Sequence, residues 1–118
     1  MEIVGQYREY IACSSVNSGV LQTFVSMGDV KAVFMGHDHT NDFCGKLHGI
    51  WFCYGGGIGY HGYGKAGLPR RARVIVAELG KGEKAWMGVE RIKTWKRLGD
   101  ENLSKIDEQV LWERWSSR

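Results

Sequence analysis

The chain has 118 residues, of which 43% are hydrophobic and 25% charged, and a formal net charge of +3. That is the size and balance of one folded domain with a modest core, which argues against a disordered chain and against several domains. No apolar run approaches the length of a membrane span, and the opening "MEIVGQYREY" has polar and acidic residues where a signal peptide needs an apolar core. No membrane association and no export signal are expected from the residues as written.

The first predicted element is a helix. In "SVNSGVLQTFVSMGDV", Val20, Leu21, Phe24, Val25 and Met27 recur at helical spacing, Asn17 and Ser18 precede them as caps, and Gly28-Asp29 ends the run. "VKAVF", Val30 to Phe34, is too short and too β-branched for a helix and predicts a buried strand. Seventeen glycines follow an uneven distribution, dense between Gly36 and Gly67, which predicts tight turns or close backbone approach in the middle of the chain.

"GIWFCYGGG", Gly49 to Gly57, predicts a second strand, and "RARVIVAEL", Arg71 to Leu79, a third with a continuous apolar centre. "GVERIKTWKRL" is ambiguous, since Val89, Ile92, Trp95 and Leu98 recur every third residue while its composition favours a strand; we read it as an edge strand. In the tail, Asn102 to Trp115, the positions of Leu103, Ile106, Val110, Leu111 and Trp115 predict a closing helix or a turn-rich segment. Helix, three or four strands and helix then make one α/β or α+β unit over residues 1–118, with a tail from about residue 100 and no internal repeat or linker.

Three features outside the elements matter. The basic runs "RRAR", Arg70 to Arg73, and "RIKTWKR", Arg91 to Arg97, are expected to be solvated faces, so nucleic-acid binding is not favoured. Cys13, Cys44 and Cys53 are too few and odd in number for a disulfide scaffold; they are reduced core thiols, the preferred reading, or one bridge with a spare. Asn102-Leu103-Ser104 is a glycosylation acceptor should the chain enter a secretory compartment.

The chemistry concentrates in "VKAVFMGHDHTNDFCG", Val30 to Gly45. A strand that stops at Gly36 and then presents His37 and His39 places two imidazoles at the carboxyl edge of a sheet, where a loop can converge on a ligand. In an extended segment residues two apart point the same way, so both rings could reach one site or two adjacent ions, with Asp38 pointing elsewhere. Imidazole is a common ligand for zinc, iron and manganese, and its second nitrogen needs a carboxylate or carbonyl partner, a part open to Asp38 or Asp42. Two ligands alone do not make a metal site, which needs three or four.

The whole phrase "GHDHTNDFCG" after a strand resembles the last metal-binding motif of the calcineurin-like metallophosphoesterases, whose generic form is Gly-His-x-His. With "GIWFCYGGGIGYHGYGKAG", "RRARVIVAELGKGEKAWMGVERIKTWKRL" and "KIDEQVLW", the resemblance extends from about Val16 to Trp112 and is to the C-terminal third of the plant proteins called probable inactive purple acid phosphatases. It implies the αββα sandwich of that family, of which this chain would be the C-terminal portion. It implies phosphate ester hydrolysis by a metal-activated hydroxide at a centre of two ions, iron with zinc, manganese or a second iron. His37 would be a ligand of the second ion and His39 of the first. Gly36 would let the backbone come close beneath the ions, and Asp38, Asn41 and Asp42 would stand behind the ligands. Tyr60, His61 and Tyr63 of the glycine-rich loop could touch substrate.

The resemblance also implies what this chain lacks: the bridging carboxylate, the asparagine ligand, a further histidine and the general acid of the family's earlier motifs have no counterpart here. Gly28-Asp29-Val30-Lys31 lacks the second acidic residue of the Gly-Asp-x-x-Asp motif, and Thr40-Asn41-Asp42-Phe43 replaces the aromatic-Glu-Arg that follows the histidines in typical members. The expectation is a fragment or truncated product, inactive alone, whose strands lose cover and associate through uncovered sheet edges. Full-length relatives of this kind commonly enter the secretory pathway. Two other readings stay open: a small zinc module in which His37 and His39 join Cys44 and Cys53, and a non-catalytic interaction piece that uses its basic edges and aromatic residues.

Overall fold

The structure, a computed structural model, describes residues 2–115. Its elements in chain order are β1 (Ile3–Val4), α1 (Val20–Met27), β2 (Ala32–Met35), β3 (Cys44–Leu47), β4 (Ile50–Tyr54), β5 (Arg71–Lys81), β6 (Trp86–Leu98) and β7 (Lys105–Glu113). The chain is therefore an α+β unit dominated by strands, with one short helix.

Local sequence accounts for much of this. The helix lies where its periodicity places it, but the capping position falls to Gly19, in a left-handed conformation, with Asn17 Oδ1 accepting the Gly19 N–H at 2.9 Å. It ends on Gly28, also left-handed, whose N–H donates to the Phe24 carbonyl, the usual way a glycine stops a helix. The β3–β4 hairpin turns through His48 and Gly49, both at positive φ, as a two-residue turn matched to the twist of the flanking strands requires.

The strands form two sheets. One has the order β1-β3-β4-β2, in which β2 and β4 run parallel and the other pairs antiparallel; the second is the antiparallel β5-β6-β7. The core lies between them, where Cys44, Trp51 and Cys53 meet Leu111, with Ala32, Phe34 and Ile92 packed around. Burial of these side chains is the main apolar driving force holding the sheets together.

Two expectations fail here. β6 pairs with β5 on one side and β7 on the other, so it is the central strand of its sheet and not an edge. The tail is neither helix nor turn-rich: Lys105–Glu113 is a strand. Its pairing slips twice, with Ile92 opposite Trp112 but Lys93 opposite Val110, and Thr94 opposite Gln109 but Lys96 opposite Ile106. Each slip inserts one extra residue on β7, and one of the inserted stretches contains Asp107 at φ 51. Bulges of this kind shift the inward face along the strand and give a two-residue alternation the spacing of a helix.

The basic runs are not simply solvated faces either. Arg71 and Lys96 are buried, and both reach back to Asp42 in the first sheet's β2–β3 connection. Among the cysteines, Cys44 and Cys53 form a disulfide across the β3–β4 pair and Cys13 is free and exposed, so the bridge with a spare replaces the reduced core thiols.

Candidate functional site

Because β2 and β4 are parallel, their carboxyl ends emerge at the same edge of the sheet, and the Gly55 N–H still donates to the Met35 carbonyl at 3.0 Å. The turn after β2 and the glycine-rich loop after β4 therefore leave side by side. This is the edge at which loops of parallel strands gather functional groups.

The histidines do not lie on an extended segment. Asp38 N–H donates to the Gly36 carbonyl at 3.0 Å around His37, which has φ 75, a tight three-residue turn that non-glycine residues adopt only under strain. The expected two-residue alternation is thereby replaced by a bend that leaves His37 exposed and His39 half-buried. Beyond its two chain neighbours, no atom of the described residues lies within 4 Å of a Cβ built on Gly36, so packing against them does not require that glycine. The left-handed backbone falls one residue later.

His39 is the better held of the two histidines. Its Nδ1 is 2.9 Å from the Tyr63 carbonyl, and its ring stacks on the Tyr63 ring with centroids 4.1 Å apart and planes 5° from parallel. A carbonyl only accepts, so Nδ1 carries the proton and the lone pair of the neutral ring sits on Nε2. The partner of the second ring nitrogen is thus a carbonyl from the glycine-rich loop, where Asp38 or Asp42 had been expected.

Those carboxylates are committed elsewhere. Asp38 is buried and its Oδ2 accepts the Tyr54 hydroxyl at 2.8 Å and the Ala12 N–H at 3.1 Å. Burial and this bond push the Tyr54 phenol up to about 12, so it remains a donor. Asn41 Oδ1 accepts the Arg8 and Glu9 N–H groups at 2.7 and 2.9 Å, and its Nδ2 donates to the Glu9 carbonyl at 3.0 Å. It clamps the N-terminal arm onto the turn.

Asp42 is the electrostatic centre of the fold, 1% exposed. Oδ2 pairs with Arg71 Nη1 at 2.6 Å and Lys96 Nζ at 2.9 Å, while Oδ1 meets Arg8 Nη1 at 3.1 Å and accepts the Gln6 N–H at 2.9 Å. Burial alone would raise its pKa, but the Lys96 bond, the Gln6 N–H and the surrounding cations outweigh it and bring the carboxyl down to about 2. Its backbone carbonyl also accepts from Arg73 Nη2 and Lys96 Nζ, both at 2.9 Å. In sequence, Asn41 and Asp42 read only as neighbours of a metal. Nothing in the local spacing could have shown four cations converging from residues as distant as Arg8 and Lys96.

In the glycine-rich loop, Tyr60 and His61 are exposed, and Tyr60 lies under the Arg70 guanidinium, 5.5 Å from its ring centroid. Neither has a contact with His37 or His39 among the hydrogen bonds and ring pairs of the described residues. The loop residue that does reach the histidines is Tyr63. Its hydroxyl accepts the His39 N–H at 2.9 Å and lies 2.8 Å from Glu9 Oε1 and 3.1 Å from the His37 carbonyl. The His39 N–H favours the phenolate, yet desolvation and Glu9 prevail and the Tyr63 pKa is raised, which keeps it a phenol. Glu9 itself is lowered, chiefly by the Thr40 N–H that it accepts at 2.9 Å.

The zinc module of His37, His39, Cys44 and Cys53 is overturned by the disulfide, which ties both sulfurs to each other. A thiolate is the form of cysteine that binds zinc. Among the described residues no three His, Cys, Asp or Glu side chains gather closely enough to hold an ion. Two imidazoles, one with a free Nε2 lone pair, suit zinc, iron or manganese in donor type, and they fit only as part of a larger ligand set.

A mixed-sheet α+β unit with a histidine-bearing turn at the carboxyl ends of parallel strands is consistent with the C-terminal part of a phosphoesterase. The chain is 72% identical over 110 residues to Probable inactive purple acid phosphatase 28 of Arabidopsis thaliana, a match covering 93% of this chain. It is 59% identical over 109 residues to Probable inactive purple acid phosphatase 29 and 53% identical over 112 residues to Probable inactive purple acid phosphatase 14 of the same plant, over 92% and 94% of this chain. The chain belongs to this family of purple acid phosphatase-like proteins and corresponds to their C-terminal part. It spans 28% of the length of each of these curated relatives. No family model and no solved structure matches it.

Proposed function

We propose that this chain carries the last pair of metal-ligating histidines, His37 and His39, of a centre of two ions that acts on phosphate esters, with the other ligands drawn from parts of the relatives that this chain does not span. The observation that carries the reading is His39, a half-buried imidazole whose Nδ1–H is spent on a carbonyl and whose Nε2 is left with a free lone pair at the mouth of the sheet. The relatives' names, which pair "purple acid phosphatase" with "inactive", support the class while leaving turnover to be measured.

The ions, iron with zinc, manganese or a second iron, would supply Lewis acidity toward a phosphoryl oxygen and the attacking water. The chain's own residues do three things toward that chemistry. His39 offers Nε2 in a fixed orientation, His37 is presented on an exposed bend, and the glycine-rich loop meets both through Tyr63, with exposed His61 and Tyr60, the latter under Arg70, as the side chains it offers to a phosphate ester. Asp38, Asn41 and Asp42 act through the backbone that they hold. The Cys44–Cys53 disulfide suits an oxidising compartment, in keeping with a secretory placement.

Calorimetric titration of the chain with zinc tests the reading. Weak uptake that disappears in the H37A/H39A double variant is expected, together with no phosphate release from the isolated chain. Uptake unchanged in the double variant would overturn the ligand assignment, and robust phosphate release from the metal-loaded chain would overturn the incomplete centre.

A further inference from the structure

We propose that Tyr63, braced by Glu9, is a positioning residue that fixes His39 in its Nδ1–H tautomer and so keeps Nε2 available as the ligand atom; the inference rests on the reading of His39 as a ligand.

Three contacts to His39 and one to the His37 carbonyl converge on this one residue. The Tyr63 carbonyl takes the Nδ1 proton at 2.9 Å, and its ring lies flat against the imidazole at 4.1 Å. Its hydroxyl accepts the His39 N–H at 2.9 Å, then donates its single proton to Glu9 Oε1 at 2.8 Å, with the His37 carbonyl at 3.1 Å as the alternative acceptor. Glu9 Oε1 also takes the Thr40 N–H at 2.9 Å, so the N-terminal arm, the histidine turn and the glycine-rich loop are joined through two side chains.

The glycine beside Tyr63 is part of the device. A Cβ built on Gly62 would lie 3.0 Å from His39 Cε1 and 3.2 Å from Nδ1, so an added methyl group would push the imidazole out of its present seat against the loop by a few tenths of an ångström. Gly62 needs no left-handed backbone, since it is not among the positive-φ residues, which makes its requirement steric.

The consequence is chemical. An imidazole free of such a partner divides its population between two tautomers and several ring orientations, and only part of it presents the correct lone pair. Losing a partner that orients a ligating histidine typically weakens metal affinity about 10- to 100-fold.

The test is long-range proton–nitrogen NMR of His39 in the full chain, without metal and then with zinc as the probe. Wild type is expected to show one tautomer, protonated on Nδ1, with zinc perturbing Nε2. Y63A and G62A should each mix the tautomers and weaken the zinc response of His39 about tenfold. The backbone carbonyl of residue 63 is present in every variant, so Y63A tests whether the ring and hydroxyl hold that carbonyl against Nδ1, while Y63F keeps the ring and isolates the hydroxyl, and it carries the test together with G62A should Y63A lose the native amide spectrum. A mixed tautomer in wild type, or an unaltered Nδ1–H tautomer in the folded variants, would overturn the inference. If the tautomer depends on Tyr63 but zinc leaves Nε2 untouched, the positioning role stands and the ligand reading fails. If zinc binds Nε2 whatever residue is at 62 or 63, the ligand reading stands and this inference fails.

Discussion

Within six residues the turn after β2 holds two kinds of polar side chain. His37 and His39 lie exposed or half-buried at the sheet edge, and one of them keeps a free lone pair, whereas Asp38, Asn41 and Asp42 are buried with their oxygens engaged by the chain itself. In sequence they form one cluster of candidate ligands. In space the histidines are available to something outside the chain, and the carboxylates and the amide hold the bend that presents them. Exposure together with unspent donor capacity separates function from scaffold here better than residue type does.

The sharpest way to break this division is to attack the scaffold side. Asp42→Ala removes the anion that Arg71 and Lys96 share, which strips the buried Arg71 of its carboxylate partner and leaves Lys96 with Asp107 alone, an expected loss of about 3–5 kcal/mol in urea unfolding. A loss below about 1 kcal/mol would place Asp42 with the histidines as a residue that the fold can spare.

Reducing the Cys44–Cys53 bridge is expected to cost about 2–3 kcal/mol, the loop-closure value for a sequence separation of 9, and to lower the unfolding midpoint accordingly. The bridge joins β3 to β4, and β4 leads directly into the glycine-rich loop. Its reduction should therefore loosen the His39–Tyr63 stack as well.

Acid should act next. Asp42 titrates near 2 in the folded chain against an ordinary 3.8, so its contribution is present above pH 4 and is lost as the pH falls from about 4 to about 2. The shift corresponds to about 2 kcal/mol. Urea midpoints measured over that window in wild type and Asp42→Asn should converge at the acid end, and parallel curves would show that another group controls acid stability.

The smallest effect is expected on the functional side and has the opposite sign. His37 at φ 75 stores backbone strain, so His37→Gly should stabilise the chain by about 0.5–1 kcal/mol while removing one proposed ligand. A stabilising change that abolishes zinc uptake would sharpen the contrast with Asp42. Destabilisation would mean that the imidazole has a structural partner after all.

What the sequence determined by itself is local. Glycine stops, β-branched runs and helical spacing fixed α1, β2, β4 and β5 to within a few residues, because those signals act on the backbone over a turn or a few residues. The Gly-His-x-His phrase marked the turn and the family for the same reason, being contiguous. Tertiary structure alone decided the rest. β6 became central and β7 a strand because pairing is set by partners far along the chain, and two bulges disguised the alternation of β7 as helical spacing. Asp42 became a scaffold residue because Arg8, Arg71 and Lys96 converge on it, and Tyr63 became the partner of His39 because β2 and β4 run parallel and open their loops at one edge. Charge pairing and sheet topology depend on distances in space, and those exist only once the chain has folded.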